Sequence, residues 1–217
     1  MIPFFRLLLG LLLTGSAGWV DAIGYVRLGG LYPSFMSGNT TQLGLALSHY
    51  EWTLVGIAAT ILGLFFLGSF CGGLTAALPS GWRLPVVLAS EAVLLATATG
   101  LASLSGREHE AVLLLPVAMG VQNAAIQELR PTAGGATFVT GTLFRAGHGL
   151  AKALVGRAGA AWFPQLLSWT SFAAGAGAGA LGNARWGILA LSVPLAVVAA
   201  TAMVAILVPH QAEEVGP

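Results

Sequence analysis

Apolar stretches separated by short polar breaks fill almost the whole chain. A helix needs about 20 apolar residues to cross the hydrocarbon core of a bilayer. Six runs of that length occur, at approximately 6 to 28, 53 to 78, 84 to 105, 111 to 129, 163 to 182 and 186 to 208. Between them lie breaks at 49 to 52, 79 to 83, 106 to 110, 130 to 135, 156 to 164 and 182 to 185, rich in Gly, Pro and charged residues. The first run has the outline of a secretory signal, because Arg6 precedes a leucine-rich stretch and small residues follow at 15 to 18. Its apolar character continues to Tyr25, however, and a related segment recurs in mid-chain, so a retained helix is expected.

That recurrence organises the chain. Gly18-Trp-Val-Asp21-Ala22 is echoed by Gly120-Val-Gln-Asn123-Ala124, at an offset of 102 residues. Ser34-Phe-Met-Ser-Gly38-Asn39-Thr40 is echoed by Thr137-Phe-Val-Thr-Gly141-Thr142-Leu143, at an offset of 103. After each motif comes a piece too short to span, 37 to 48 or 140 to 156, and then a long apolar segment with a Gly-x-x-x-Gly pair, Gly68 with Gly72 or Gly175 with Gly179. The chain therefore divides into a first repeat at 1 to 107 and a second at 108 to 217, within a single membrane domain.

Three full crossings per repeat is an odd number, so the second unit enters the bilayer in the opposite orientation to the first. The expected fold is an all-α integral membrane protein with six transmembrane helices and two short re-entrant or broken helices, arranged as an inverted structural repeat. The distribution of basic residues favours this arrangement. It puts Arg6, Arg83, Arg130, Arg145, Lys152 and Arg157 on one side and only Arg27, Arg107 and Arg185 on the other. Eight full crossings would move Arg83 and Arg130 across and nearly erase the bias. Both termini are expected in the cytoplasm.

Composition narrows the class further. Charged residues make up 8% of the 217 residues, against about 25% in a typical soluble domain, and apolar residues 56%. Nine basic and eight acidic side chains cannot solvate the surface of a soluble domain of this size. The lipid bilayer is the solvent that fits. A net charge of +1 gives no basic face for a nucleic-acid partner. The single cysteine, Cys71, lies in an apolar run and reads as a packing residue.

The phrases Gly-Trp-Val-Asp-Ala at 18 to 22, Phe-Met-Ser-Gly-Asn-Thr at 35 to 40, Gly-Val-Gln-Asn-Ala at 120 to 124 and Thr-Phe-Val-Thr-Gly at 137 to 141 resemble the YoaK-like family of bacterial inner-membrane proteins. The resemblance covers nearly the whole chain. It implies a small multi-pass protein of the bacterial inner (plasma) membrane, and it implies no mechanism.

Candidate chemistry comes from polar residues inside the apolar runs. Ser37, Gly38, Asn39 and Thr40, and in the second repeat Thr140, Gly141 and Thr142, open the two short helical pieces. A helix N-terminus at mid-membrane offers unsatisfied N–H groups and a positive dipole end, and two such ends can converge on a polar or anionic solute. The plainer reading is that these residues cap two turns and let them pack. Gln42 shares a face with Asn39; Arg145 takes the corresponding place in the second piece and either attracts an anion or lies against lipid headgroups. Asp21 and Glu91 lie well inside apolar runs, where a carboxyl is costly unless it pairs, is neutralised or meets water. Each is a candidate to carry a coupling proton or else a structural partner, in the case of Asp21 for a cation on another helix such as Arg130 or Arg145. Asn123 occupies the repeat position of Asp21 and either lines a shared polar cavity or supplies interhelical hydrogen bonds.

Enzyme signatures are lacking. The four histidines have no paired metal-ligand spacing, and no nucleophile elbow or phosphate-binding loop occurs. The sequence thus predicts no enzyme, no cofactor and no metal. It predicts a small secondary transporter or channel for a polar or anionic solute, with proton coupling through a buried carboxyl and a homodimer, for which the Gly-x-x-x-Gly pairs offer one close-packing face, as further expectations. The alternative is a membrane assembly or regulatory subunit whose polar motifs only hold its helices together.

Overall fold

The computed structural model describes residues 3–104, 106–129, 139–157 and 160–207. Every regular element among them is helical: α1 (Pro3–Arg27), α2 (Met36–Ser48), α3 (Trp52–Leu74), α4 (Ser80–Ala102), α5 (Glu108–Leu129), α6 (Val139–Leu154), α7 (Phe163–Trp186) and α8 (Ser192–Leu207), with three short 3-10 segments. Among the described residues, five segments are long and apolar enough to cross a membrane: Phe4–Arg27, Trp52–Ala77, Ser80–Ala102, Glu108–Leu129 and Phe163–Leu207. The two short pieces expected from the motifs are α2 and α6.

The fifth segment has 45 residues. As one straight helix it would reach about 68 Å, roughly twice the hydrocarbon thickness. It breaks instead at Gly187, in the left-handed region at φ +59°, and continues through a 3-10 segment (Gly187–Leu191) into α8. The break was expected at 182 to 185, but α7 stays helical there. Gly182 is consumed in packing, because a side chain on it would meet the Trp19 ring, and Asn183 accepts from Arg27 at 3.4 Å. The Ala190 carbonyl of this segment, which already accepts a backbone N–H at the Ser192 cap, also accepts the Trp19 indole N–H at 3.0 Å and so ties the break to α1.

Glycines set the closest seams. α1 and α7 lie side by side and run in the same direction: Ser171 Oγ donates to the Leu11 carbonyl at 2.7 Å, Gly175 packs on Gly15, and Gly179 on Trp19. α3 and α5 form a second such pair, with Gly68 on Val117, Gly120 on the Phe65 carbonyl and Gly72 beside Ala124. Both Gly-x-x-x-Gly pairs are therefore used within the chain, where missing side chains let backbones touch.

α5 runs antiparallel to both α1 and α4. At one end Arg6 donates to the Glu128 carbonyl at 2.8 Å and Arg83 approaches the Glu128 carboxylate at 4.0 Å; at the other Arg27 pairs with Glu108 at 3.0 Å. α8 packs against α4 and α1. Leu13, Val20, Leu88, Leu115, Met119 and Val198 form the centre of the core.

Much of the outside is apolar. α3 leaves Phe66, Leu67, Phe70 and Leu74 exposed, a face that water would not tolerate and lipid accepts. Exposed aromatic residues mark both ends of the bundle, Trp82 beside the Arg6 and Arg83 end and Tyr50, Trp52 and Trp186 at the Arg27 end. Such girdles sit at headgroup level in membrane proteins.

Candidate functional site

The first short helix is held by its own approach loop. α1 ends with Gly29 at φ +64° and the Gly30 N–H bonded to the Tyr25 carbonyl at 2.9 Å, a Schellman-type closure that turns the chain back. The chain then descends beside α1, because Gly24 has no side chain and the Pro33 ring occupies that space. Asn39, fully buried, pins the loop: its Oδ1 accepts the Tyr32 N–H at 2.9 Å and its Nδ2 donates to the Tyr32 carbonyl at 2.7 Å. Ser34 is thereby delivered to Asp21. The Asp21 carboxylate accepts the Ser34 N–H at 2.7 Å and the Ser34 hydroxyl at 2.6 Å, and the residue is only 4% exposed.

Asp21 lies six residues, or about 9 Å of helix, before the end of α1. The loop therefore reaches well below the Arg27 end, and α2 then climbs back to the same end, where α3 begins. α2 does not cross the bundle. Its first turn, and with it the positive end of its dipole, faces the middle of the molecule beside a carboxylate from α1.

A cavity of about 430 Å³ opens at this point. Asp21, Tyr25 and Val26 of α1 line one wall, Phe172 and Ala176 of α7 another, and Tyr32, Ser34 and Phe35 of the loop a third. Val139 and Thr140, the first residues of α6, complete it. The starts of both short helices thus meet at one cavity. The aromatic side chains form a connected group, with Tyr25 and Tyr32 centroids 4.8 Å apart and Phe35 edge-on to Tyr32 at 5.4 Å.

The residues singled out in the sequence are spread more widely. Asp21 and Thr140 line the cavity; Ser37, Gly38, Asn39, Thr40 and Gln42 do not. Gly38 makes room for the Phe35 ring, while the Thr40 hydroxyl returns to the Met36 carbonyl at 2.8 Å. In α6 the Thr142 hydroxyl bonds to the Val139 carbonyl at 2.7 Å, and Arg145 reaches Gln165 of α7 at 3.4 Å. Asn123 lines a separate, smaller cavity of about 300 Å³ between α3 and α5. Glu91, fully buried, lies between α4 and α5 and accepts from Gln122 Nε2 at 2.8 Å. Its Oε2 and the Gln122 Oε1 have no hydrogen-bond partner among the described residues. Arg130, one expected partner for a buried carboxyl, lies outside the described residues, as do residues 131 to 138.

The cavity wall also holds Tyr25, Tyr32, Phe35, Phe172 and Ala176, which the motifs did not mark. One signal was available. Tyr25 stands one helical turn beyond Asp21 and shares its face.

Comparison with known proteins supplies the family and the membrane class. Residues 9–204 match the family described as "Protein of unknown function (DUF1275)". The UPF0700 transmembrane protein RA0705 of Rhizobium meliloti (strain 1021) is 34% identical over 181 residues, covering 82% of this chain and 76% of its own length. The UPF0700 transmembrane protein YoaK of Bacillus subtilis (strain 168) is 33% identical over 142 residues, 61% of each chain. No solved structure matches. With a family match across almost its full length, transmembrane relatives and a bundle of apolar helices, the chain belongs to the DUF1275 family and is a multi-pass membrane protein.

Proposed function

We propose that the protein is a small secondary transporter built as an inverted repeat, binding a small polar solute at the cavity between the starts of α2 and α6. The observation that carries this reading is the meeting of two short helix ends at one cavity that contains a buried carboxylate. Broken or re-entrant helices whose ends converge inside the bundle are how several transporter folds make a site with exposed backbone dipoles.

The pairings support the inverted architecture. Exchanging α1 with α5, α2 with α6, α3 with α7 and α4 with α8 maps α1 on α7 into α5 on α3, and α2 on α3 into α6 on α7. It also maps α4 on α5 into α8 on α1. The exchanged members α1 and α5 run in opposite directions, as a two-fold axis in the membrane plane requires. Six crossings follow once Phe163–Leu207 is divided at Gly187. On this arrangement the Arg6 and Arg83 end also receives Lys152 and Arg157, making it the cytoplasmic side by the positive-inside rule.

Asp21 is the candidate for a coupling proton because it lines the cavity. Glu91, sealed against Gln122, is a candidate only if a conformational change opens that interface. We assign no catalytic activity, cofactor or nucleic-acid partner. A homodimer would have to use other surfaces than the two Gly-x-x-x-Gly seams, which are occupied within the chain.

One observation favours the assembly-subunit reading: both Asp21 oxygens already bond to Ser34, as they would in a purely structural cap. Solute flux in proteoliposomes separates the two. A transporter loses pH-driven flux in Asp21→Asn while the protein stays folded; a structural Asp21 gives a lower melting temperature with no flux to lose. Topology is tested by single cysteines at the exposed Leu104 and Val155 in a Cys71→Ser background. With six crossings an impermeant maleimide labels them from opposite sides of the membrane, whereas eight crossings put them on the same side.

A further inference from the structure

The chemistry of the cavity narrows the class of solute. On the transport reading above, we infer that the cavity receives a small organic cation, an ammonium-bearing solute, with Asp21 as its counter-charge and the Tyr25, Tyr32 and Phe35 rings as its wall.

Three observations carry this. The first concerns the place where an anion would sit. The backbone N–H just ahead of α2, the donor a solute anion would seek, is already taken by Asp21 at 2.7 Å, and Asp21 Oδ2 holds the neighbouring hydroxyl. The protein supplies its own anion there, so an anionic solute would have to displace it or approach it against like charge. The second concerns charge balance. Among the described lining residues there is no Lys, Arg or His; Arg145, for which the sequence left anion attraction or a place against lipid headgroups open, is not among them and reaches Gln165 of α7. The starts of α2 and α6 contribute at most about half a positive charge each, which offsets an ionised Asp21 without reversing its sign, so no net positive charge is left over to hold an anion. The third is the wall itself. Tyr25, Tyr32 and Phe35 form a contiguous ring cluster beside the carboxylate, and aromatic faces attract quaternary and primary ammonium groups through their quadrupoles. A volume of about 430 Å³ is within the usual range for small-molecule sites.

The test compares tetraethylammonium, butyrate and neutral tert-butanol as stabilisers of the full chain purified in detergent, at equal ionic strength, by tryptophan fluorescence melting. A ligand that binds the native state raises the melting temperature as the logarithm of one plus the ratio of its free concentration to its Kd. The expected result is stabilisation by tetraethylammonium alone. It should be at least about tenfold weaker in Asp21→Asn and severalfold weaker in Phe35→Leu. If Asp21→Asn does not fold, Thr140→Arg is the second variant. Thr140 is exposed at the cavity rim, and a cation placed there should abolish the tetraethylammonium effect by repulsion. Stabilisation by butyrate or tert-butanol instead overturns the cationic assignment and leaves the transport reading standing. A tetraethylammonium effect that survives both Asp21→Asn and Thr140→Arg also overturns it, by locating the binding elsewhere. If none of the three probes stabilises the protein, the assignment fails; the transport reading fails with it only if a broad solute panel also gives no flux in proteoliposomes.

Discussion

Two glycines on α7 should respond in opposite ways to the same substitution. A Cβ on Gly175 would overlap the Gly15 carbonyl oxygen and lie 2.9 Å from the Gly15 Cα, whereas one on Gly177 would meet nothing within 4 Å. Carbon atoms pack at about 3.5–4.0 Å, so Gly175→Ala must push α1 and α7 apart by roughly an ångström at that point. Overpacking of this kind costs about 1–3 kcal/mol. The displacement also strains the Ser171 to Leu11 bond and the Trp19 to Ala190 bond on the same seam, worth about 0.6 kcal/mol each by membrane-protein averages. The expected cost is about 3 kcal/mol. Gly177→Ala loses nothing in packing and gains up to about 1 kcal/mol of helix propensity. At about 2–4 °C per kcal/mol for a chain of this size, the difference of about 3–4 kcal/mol should make Gly175→Ala melt roughly 6–16 °C below Gly177→Ala. The six tryptophans give the fluorescence signal; Cys71 is already exposed and unsuited to a thiol-reactive dye. Equal melting temperatures for the two variants would refute the close seam between α1 and α7.

Other consequences are checkable by the same melts. Asn39→Leu strands the N–H and C=O of Tyr32 and should cost about 2–4 kcal/mol; Asn39→Asp restores only the acceptor and should recover part of that. Glu91→Leu and Gln122→Leu should each destabilise, while the double variant costs less than the sum, because removing one partner leaves the other buried and unpaired. Additive effects would mean the two side chains do not interact. Trp19→Phe removes the donor to the Ala190 carbonyl and should cost about 1 kcal/mol, with the loss appearing as faster amide exchange around Gly187. Arg27→Met breaks a partly exposed pair with Glu108 and should change stability by no more than about 1 kcal/mol, an effect that shrinks in high salt.

The helices were legible in the sequence because bilayer thickness turns apolar run length into a direct signal. Which helix packs on which was not. In lipid the outward face is as apolar as the inward one, so hydrophobic periodicity loses its power to point at the core, as on α3, where Phe66 and Phe70 face outward and Gly68 and Gly72 inward. Small-residue spacing was the one usable cue, and it marked the seams of α3 and α7 without naming α5 and α1 as their partners. Asp21 was conspicuous as a carboxyl in an apolar run. The Ser34 hydrogen bonds that make it the cap of its own approach loop depend on Gly24, Pro33 and Asn39 acting together, and no local pattern expresses that.

The α1 and α7 seam has a consequence for how the protein is made. The bond from Ser171 to Leu11 joins residues 160 positions apart. At ribosomal rates of about 5–20 residues per second, α1 spends roughly 8–32 s in the bilayer before the segment that covers its glycine face has been synthesised. α3 waits in the same way for α5. The first half of the chain can insert but cannot finish packing, and during that interval the bare glycine face of α1 is open to any helix that passes.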